Sequence, residues 1–253
     1  MIDCHCHLTY PGLREIRENV VKEAEKEMKA IITCGYPKDC VDALEMSKKY
    51  SGFVYLTLGL HPIDIYKMND DEIEKYLDFI RKHKNDISAI GEIGLDKHWF
   101  KDKKDDERFE KFFIQCLDLS KELGLPVLLH TRKAEEDCFR IIQENDIKNA
   151  VFHCYGGNLS LAKKIIDSGY YISIATNVMN SKNSKAIAKK FPINRLLTET
   201  DSPFLYPNKN EVNRPINVKL VLNSIAELRK MKFEDVDENT TDSAIKFFGL
   251  GKK

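Results

Sequence analysis

Short apolar runs alternate with longer segments of helical periodicity along the whole chain. Eight of these runs have the length of a strand and are predicted as β-strands: Met1–Cys6, Ala30–Cys34, Val54–Leu60, Ile87–Ile93, Pro126–His130, Ala150–His153, Tyr170–Ile174 and Arg195–Thr200. Most of them are too continuously apolar for a sheet with one face in water. The pattern is typical of parallel strands that are covered by helices.

The segments between these runs carry apolar residues at helical spacing. The clearest stripe follows the candidate caps Asn69 and Asp70 and consists of Ile73, Tyr76, Leu77 and Ile80. Three further helices are predicted: from a cap at Asn158 to Gly169, from Pro215 through a stripe ending at Leu228, and from about Thr240 to Phe248.

Eight strand–helix units predict a closed (β/α)8 barrel of the TIM type, with residues 1–253 forming one domain. The length agrees, since about 250 residues are typical of this fold. An open doubly wound sheet is the structural alternative. However, neither a G-x-G-x-x-G motif nor a P-loop follows the first strand, and no Pro-, Gly- or Ser-rich linker divides the chain.

Metal-ligand residues stand at the ends of the predicted strands. Because the carboxyl ends of barrel strands meet at one mouth, we expect these side chains to converge there. They are His5 and His7 at the end of strand one, Glu92 at the end of strand four, His130 at the end of strand five, His153 at the end of strand six and Asp201 after strand eight. Imidazoles and carboxylates suit Zn²⁺, Mn²⁺, Co²⁺ or Mg²⁺. Six ligands exceed the need of one tetrahedral ion, which predicts two ions with Glu92 as their bridge.

Such a site predicts hydrolysis. Two ions roughly 3.5–4 Å apart can activate a water and neutralise the leaving oxygen. Asp201 would serve as ligand and base, beside the bridging Glu92. This chemistry needs no covalent intermediate and no organic cofactor. A thiolate site at Cys4 and Cys6 is the alternative, but strand alternation should turn both thiols away from the histidines.

Several residues near these ligands have two interpretations each. His61 can contact the substrate or a ligand, or it is only a turn residue. Glu199 and Asp3 can orient a metal ligand, or each belongs to a buried structural ion pair. Arg132 can bind a phosphate, or it forms a salt bridge to Asp137 or Glu136. Arg214 can likewise bind a phosphate or form a salt bridge.

The bulk composition restricts the partners. The chain has 40 basic and 40 acidic residues, so a strong global attraction to nucleic acid or anionic membrane is not expected. A local contact remains open at Lys101–Lys104, beside Trp99 and Phe100; the alternative is a solvated charged loop. No secretory signal or membrane-length apolar run is visible, and seven scattered cysteines suit a reduced, cytoplasmic protein. A monomer is favoured, since no coiled-coil heptads occur.

The chain resembles the TatD-type metal-dependent hydrolases within the amidohydrolase-like barrels. Six segments carry this resemblance: Asp3-Cys-His-Cys-His7, Gly59-Leu-His-Pro62, Gly91-Glu-Ile-Gly-Leu-Asp96, His130-Thr-Arg-Lys-Ala134, Phe152-His-Cys-Tyr-Gly-Gly157 and Glu199-Thr-Asp-Ser-Pro203. The resemblance implies a two-metal site built from the six ligands named above. It also implies hydrolysis of phosphodiester bonds, usually of DNA and often as a 3′ exonuclease that needs Mg²⁺ or a similar ion.

Two details qualify this resemblance. Asn213-Arg-Pro215 is similar to a family segment after strand eight, which raises Arg214 as a phosphate or substrate contact. Tyr155-Gly-Gly157 departs from the family, where many members have an aromatic residue followed by Ser-Gly. The departure concerns a loop hydrogen bond and not the metal ligands.

Three function hypotheses follow. The first is a two-metal phosphodiesterase that acts on DNA. The second keeps the barrel and the metals but cleaves an amide, a lactone or another small ester, or deaminates a base. Glu92 argues against the hydantoinase-like branch of related barrels, which often has a carboxylated lysine on strand four. The third is a non-catalytic metal-binding scaffold, which would require a damaged ligand set.

Overall fold

The computed structural model describes residues 1–101, 106–206, 208 and 211–251. Eight parallel strands follow one another around a single sheet in chain order. Their bounds are β1 Ile2–Cys6, β2 Ala30–Gly35, β3 Val54–Leu58, β4 Ile87–Gly94, β5 Val127–His130, β6 Ala150–Phe152, β7 Tyr171–Ile174 and β8 Leu196–Thr198. The predicted (β/α)8 barrel is therefore confirmed.

Helices connect the strands on the outside of the barrel. Their bounds are α1 Arg17–Ala24, α2 Cys40–Lys49, α3 Pro62–Lys67, α4 Asp70–Lys82, α5 Asp106–Leu123, α6 Glu135–Glu144, α7 Leu159–Asp167, α8 Lys182–Lys190, α9 Val218–Arg229 and α10 Phe233–Phe248. Asn69 caps α4 in a reciprocal capping box with Glu72, and Asn158 caps α7, as the sequence predicts. Among the described residues no helix is long and apolar enough to cross a membrane.

The barrel closes between β8 and β1, next to the predicted ligands. The Asp201 amide donates to the His5 carbonyl at 3.0 Å, and the His7 amide donates to the Ser202 carbonyl at 2.8 Å. Asp3 reinforces this seam, since its carboxylate accepts from the Thr200 amide at 2.9 Å and from the Thr200 hydroxyl at 2.6 Å. Closure of the fold therefore brings the first and the last predicted ligands together.

Two apolar clusters surround the strands. The larger one lies between barrel and helices and includes Phe112, Phe113 and Phe152. The smaller one contains residues from seven strands and the end of α10. Its members on β5, β6 and β8 are Leu128, Val151 and Leu197, two positions before His130, His153 and Glu199. Since side chains alternate along a strand, this cluster fills the barrel interior on the amino-terminal side of those polar groups.

Two local expectations were wrong. The last helix begins at Phe233 instead of Thr240, because Val236, Thr240 and Ala244 form its buried face while the intervening acidic residues are its solvated face. Cys4 and Cys6 do not share a side of the sheet: Cys4 packs in the barrel interior and Cys6 in the outer cluster. A register shift of β1 against β2 between Asp3 and Cys6 interrupts the expected alternation.

Candidate metal centre

The structure brings all six predicted ligands to the carboxyl-terminal mouth of the barrel. They form two groups of donor atoms, and Glu92 contributes one carboxylate oxygen to each. The first group consists of His5, His7, Asp201 and Glu92 Oε2. The second consists of His130, His153 and Glu92 Oε1.

The donor atoms of the first group face one another. They come from the end of β1, from β4 and from the segment after β8. Nε2 of His5 lies 3.1 Å from Nε2 of His7. The Asp201 Oδ1 atom lies 3.7 and 3.4 Å from these two nitrogens, and Glu92 Oε2 lies 3.5 Å from His5 Nε2. Three elements that are distant in sequence thus place three donor atoms at 3.1–3.7 Å from His5 Nε2.

In the second group the other oxygen of Glu92 faces two imidazoles. Oε1 lies 2.6 Å from Nδ1 of His130 and 3.0 Å from Nε2 of His153. Nε2 of His61 is farther away, at 3.9 Å from the same oxygen. A carboxylate that presents one oxygen to each of two donor groups has the arrangement of a bridging ligand.

The first donor group fits a divalent cation on its chemistry. The Nδ1 atoms of His5 and His7 are buried without a hydrogen-bond partner in the described part of the chain, so the polar contacts of both rings are made by Nε2. These Nε2 atoms point at each other and at Asp201 and Glu92. Where these nitrogens carry no proton, their lone pairs converge on the carboxylate oxygens and a cation between them removes the repulsion; imidazole with carboxylate is a usual donor set for Zn²⁺ or Mn²⁺.

The charges around the second group also favour a cation. Burial alone would raise the pKa of the Glu92 carboxyl, but His153, His61 and His130 lower it well below the ordinary value. Burial opposes protonation of His153, yet Glu92 and Glu199 raise its pKa well above the ordinary value. The ionised Glu92 carboxylate and a protonated His153 imidazole therefore stabilise each other. A metal ion that binds here would displace protons from imidazole nitrogens.

Carboxylates behind two of the histidines fix their orientation. Nδ1 of His153 lies 3.2 Å from Oε1 of Glu199, whose other oxygen accepts from the Ser173 hydroxyl at 2.7 Å. Nε2 of His130 lies 2.9 Å from Oδ2 of Asp96. A carboxylate on the far nitrogen of a ligand histidine holds the ring in place and increases its basicity. Glu199 thus contacts a predicted ligand and also forms a buried ion pair with it, so its role in orienting that ligand stays a prediction.

Asp3 contacts the backbone of two ligand-bearing segments and forms no buried ion pair among the described residues. Its carboxylate accepts from the His5 amide at 3.3 Å as well as from Thr200, so it joins the backbone of β1 to the segment that leads to Asp201. These partners are uncharged. Asp3 thus positions two ligand-bearing segments through the backbone and not through an ion pair.

Two glycines of the Gly91-Glu-Ile-Gly94 segment let the neighbouring strand approach Glu92. A Cβ atom on Gly91 would lie 2.6 Å from the Cβ of Leu128. One on Gly94 would lie 2.0 Å from the His130 carbonyl oxygen, and Gly94 also has a positive φ of 139°. Without side chains at these two positions, β4 lies close to β5, and Glu92 reaches His130.

Sequence reasoning missed two residues at this centre. Asp96 ends the Gly91–Asp96 segment that resembles the family, but the sequence alone predicted no role for it. The Tyr36 hydroxyl donates to Glu92 Oε2 at 3.1 Å, and the Tyr36 ring stacks on His7 with centroids 5.2 Å apart. A carboxylate two residues beyond a strand end could have been noticed for Asp96. The position of Tyr36 depends on the loop after β2, for which the sequence offers no pattern.

The remaining predicted contacts divide into two that face the mouth and one that does not. His61 accepts from the Ile63 amide at 3.1 Å with Nδ1 and so caps α3, while its ring lines the cavity at the mouth; contact with a substrate or a ligand stays a prediction. The Arg132 guanidinium lies 5.6 Å from the centroid of Trp99, and Asp137 pairs with Lys97 at 2.6 Å instead. Arg214 does not line the cavity and pairs with Glu23 at 3.3 Å.

A cavity of about 1060 Å³ opens above the donor groups. Its wall contains the basic side chains Lys38, Lys67, Arg132 and Lys133 and the aromatic side chains Tyr10, Tyr36, Trp99 and Phe204. Residues 102–104 of the predicted Lys101–Lys104 contact lie outside the described residues. Asp64, Glu72 and Glu135 line the same cavity, so its basic and aromatic side chains, and not its overall charge, are the surface that can contact an anionic substrate.

Comparisons with known proteins give the family of this chain. A family model described as TatD related DNase matches residues 2–249. The chain is 40% identical to the metal-dependent hydrolase MJ1582 of Methanocaldococcus jannaschii, over 98% of this chain and 96% of that protein. It is 29% identical to deoxyribonuclease TATDN3 of Homo sapiens, over 98% and 94% of the two chains.

A solved structure shows the same likeness in three dimensions. The TatD homologue YjjV of Escherichia coli superposes with a TM-score of 0.90 and 27% identity, covering 99% of this chain and 98% of that one. A (β/α)8 barrel with histidines and carboxylates at its mouth defines a class of metal-dependent hydrolase folds. Within this class the chain belongs to the TatD related DNase family.

Proposed function

We propose that this protein is a metal-dependent nuclease that hydrolyses phosphodiester bonds in DNA with two divalent ions. The observation that carries the proposal is the placement of Glu92, with one carboxylate oxygen in each donor group. Membership in the TatD related DNase family and the name of the human relative, deoxyribonuclease TATDN3, support DNA as the substrate.

The residues have distinct tasks in this proposal. His5, His7, Asp201 and Glu92 would hold one ion, and Glu92, His130 and His153 the other. Ions bound there supply Lewis acidity, which lowers the pKa of water and neutralises charge on the leaving oxygen. The identity of the ions lies among Zn²⁺, Mg²⁺, Mn²⁺ and Co²⁺, for which this donor set is suited.

Asp201 is the residue that would accept the proton of the attacking water. Its side chain is 16% exposed, whereas those of His5, His7 and Glu92 are at most 3% exposed, so Asp201 reaches the cavity where a water can approach. Oδ1 faces the two imidazoles, which leaves Oδ2 to hold the proton. Lys38 and Arg132 line the same cavity and can pair with the phosphate oxygens.

A digestion assay tests this function. We expect purified protein to degrade an end-labelled single-stranded oligonucleotide in Mg²⁺ or Mn²⁺, and EDTA to abolish this activity. Asp201→Asn should lower kcat by about 10²–10⁴-fold, the usual contribution of a positioned proton acceptor. The same preparations are tested on amide, lactone and small ester substrates. Cleavage of these alone, or DNA cleavage that survives both EDTA and Asp201→Asn, would contradict the proposal.

The number of ions is measured separately. Elemental analysis of protein loaded with Mn²⁺ and freed of excess ion should give two ions per chain. Substitution His130→Ala, which removes a donor of the second group only, should reduce this number to one. A single ion in the unsubstituted protein would refute the two-ion arrangement and leave the hydrolase assignment intact.

A further inference from the structure

Trp99 is a large apolar side chain that lies in solvent beside the metal centre. It is 68% exposed, and it lines the mouth cavity together with His130 and Arg132. A single exposed apolar side chain is common on protein surfaces and by itself indicates no ligand. What distinguishes this indole is its position at the mouth cavity, where a ligand of the donor groups can contact it.

The Trp99 backbone is fixed relative to the donor atoms. The amides of Trp99 and His98 both donate to Oδ1 of Asp96, at 2.9 and 2.8 Å. Oδ2 of the same carboxylate lies 2.9 Å from Nε2 of His130. One side chain thus holds the Trp99 backbone with one oxygen and a metal-ligand histidine with the other, so the start of the Trp99 side chain has a defined place relative to the reacting centre.

A cation accompanies the indole. The Arg132 guanidinium lies 5.6 Å from the centroid of the Trp99 ring, and Arg132 follows His130 by two residues. A guanidinium beside an indole can bind a phosphate while the open part of the ring contacts a base. Aromatic rings of this kind bind the bases of single-stranded nucleic acids by stacking, with little dependence on sequence.

Another exposed aromatic residue provides a contrast. Tyr66 on α3 is 61% exposed, but its ring packs at 5.3 Å from that of Phe100, and it is not part of the cavity wall. Only Trp99 combines exposure, a neighbouring cation and a link to a metal ligand among the large exposed apolar residues described. This combination favours a nucleotide over a protein partner as the occupant.

We propose that Trp99 and Arg132 form a platform on which one unpaired nucleobase of the substrate stacks while a neighbouring phosphodiester lies at the donor atoms. This inference rests on the proposed nuclease function and specifies how the substrate is held. It predicts selection for single-stranded or frayed DNA, because a base within a duplex does not offer its face to the indole.

Fluorescence provides a test that does not depend on cleavage. Trp99 is the only tryptophan of the chain, so intrinsic tryptophan emission reports on this residue alone. Full-length Asp201→Asn protein in Mg²⁺ is titrated with an oligothymidylate of eight nucleotides and with an abasic oligomer of equal length and charge. Binding of each oligomer is followed independently by the anisotropy of an end label. We expect quenching at saturation by the oligothymidylate and little by the abasic oligomer.

Kinetics provide the second test, in the protein with Asp201 intact. Trp99→Ala should raise KM for the oligothymidylate roughly 5- to 150-fold, the usual loss for one stacked base. Trp99→Phe retains a ring and should lose much less. KM for the abasic oligomer should be the same in Trp99→Ala as in the unsubstituted protein. Tyr66→Ala is the matched control and should change neither value.

The outcomes separate this proposal from the nuclease function. Equal quenching by both oligomers, or no quenching by bound oligothymidylate, would refute the platform. DNA cleavage with the same KM change for both oligomers in Trp99→Ala would refute it as well, and the nuclease function would stand. If no oligomer is cleaved, the nuclease proposal fails, and base-dependent quenching alone then decides whether Trp99 binds a nucleobase.

Discussion

Two successive layers of the same barrel interior have opposite chemistry. The amino-terminal layer contains Leu128, Val151 and Leu197, which are at most 1% exposed and pack against the end of α10. Two residues farther along the same three strands lie His130, His153 and Glu199, whose polar atoms contact one another or Glu92 and Asp96. The strand directions and the inward orientation are shared, so the difference lies only in the side chains.

This difference separates the source of stability from the source of function. The apolar layer is favourable because each side chain leaves water for a close-packed interior. The polar layer instead places several lone pairs and charges in a poorly solvated space, which costs free energy without a bound cation. One layer therefore stabilises the barrel, and the other is retained at a cost that binding of ions can offset.

The largest expected effect breaks the apolar layer. Leu197 is fully buried, so Leu197→Ala should lower the free energy of unfolding by about 2–5 kcal/mol. The kcat of the protein that remains folded should stay near that of the unsubstituted chain. Urea unfolding in EDTA and turnover at saturating Mn²⁺ measure the two quantities. Asp201→Asn should lower kcat and leave the free energy of unfolding nearly unchanged. If both variants lost kcat and unfolding free energy in parallel, the distinction between the layers would be wrong.

A smaller effect is expected behind the polar layer. Asp96→Asn keeps an oxygen for the two backbone amides but cannot hold the His130 Nε2 proton as a carboxylate does. Affinity for Mn²⁺ should fall about 10- to 100-fold, as measured by calorimetry.

Asp86 offers a matched control for this substitution. Oδ2 of Asp86 lies 2.9 Å from Nδ1 of His83, the same distance as in the Asp96–His130 pair, but at the end of α4 and away from the mouth. Asp86→Asn should leave the metal affinity unchanged. Equal losses in both variants would show that the effect is general and does not arise from orientation of His130.

The smallest effect concerns a carboxyl group at the cavity wall. Burial raises the pKa of Asp64 from 3.8 to about 7, although Lys38 opposes this change, and Oδ2 of Asp64 has no hydrogen-bond partner in the described residues. A raised pKa means that the folded state binds the proton more tightly than the unfolded state. This contribution to stability is therefore complete below pH 3.8 and is lost as the pH rises to about 7.

Asp64→Asn removes this dependence. The shift of about 3 units bounds the pH-dependent gain at about 4 kcal/mol, and the unpartnered amide of Asn, which costs about 3 kcal/mol at any pH, reduces the net gain at pH 8 to about 1 kcal/mol. Metal-free Asp64→Asn should thus unfold at higher urea concentration than the unsubstituted protein at pH 8 and at lower urea concentration near pH 4, where Asp64 is protonated and only the cost of the amide remains. An advantage that is constant across this range would refute the assignment of a raised pKa to Asp64.

The barrel and the gathering of six ligands could be predicted because both depend on periodic patterns. Apolar runs mark buried parallel strands, and the residue at the end of each run lies at the mouth whatever the loops do. The partners of Asp96 and Tyr36 could not be predicted in this way, since both side chains lie on connecting segments whose paths are set by tertiary packing. The register shift in β1 is likewise invisible, because the sequence of Ile2–Cys6 does not record how it pairs with β2.

The seam between β1 and β8 has a consequence for biosynthesis. It joins residues almost two hundred positions apart, such as Asp3 and Thr200, and the same seam carries His5, His7 and Asp201. A nascent chain that has emerged only through β5 already contains four of the six predicted ligands, yet the first donor group lacks Asp201. The complete centre can arise only after the ribosome has released the segment beyond β8. Hydrolytic activity is thereby withheld until the chain has been translated beyond β8.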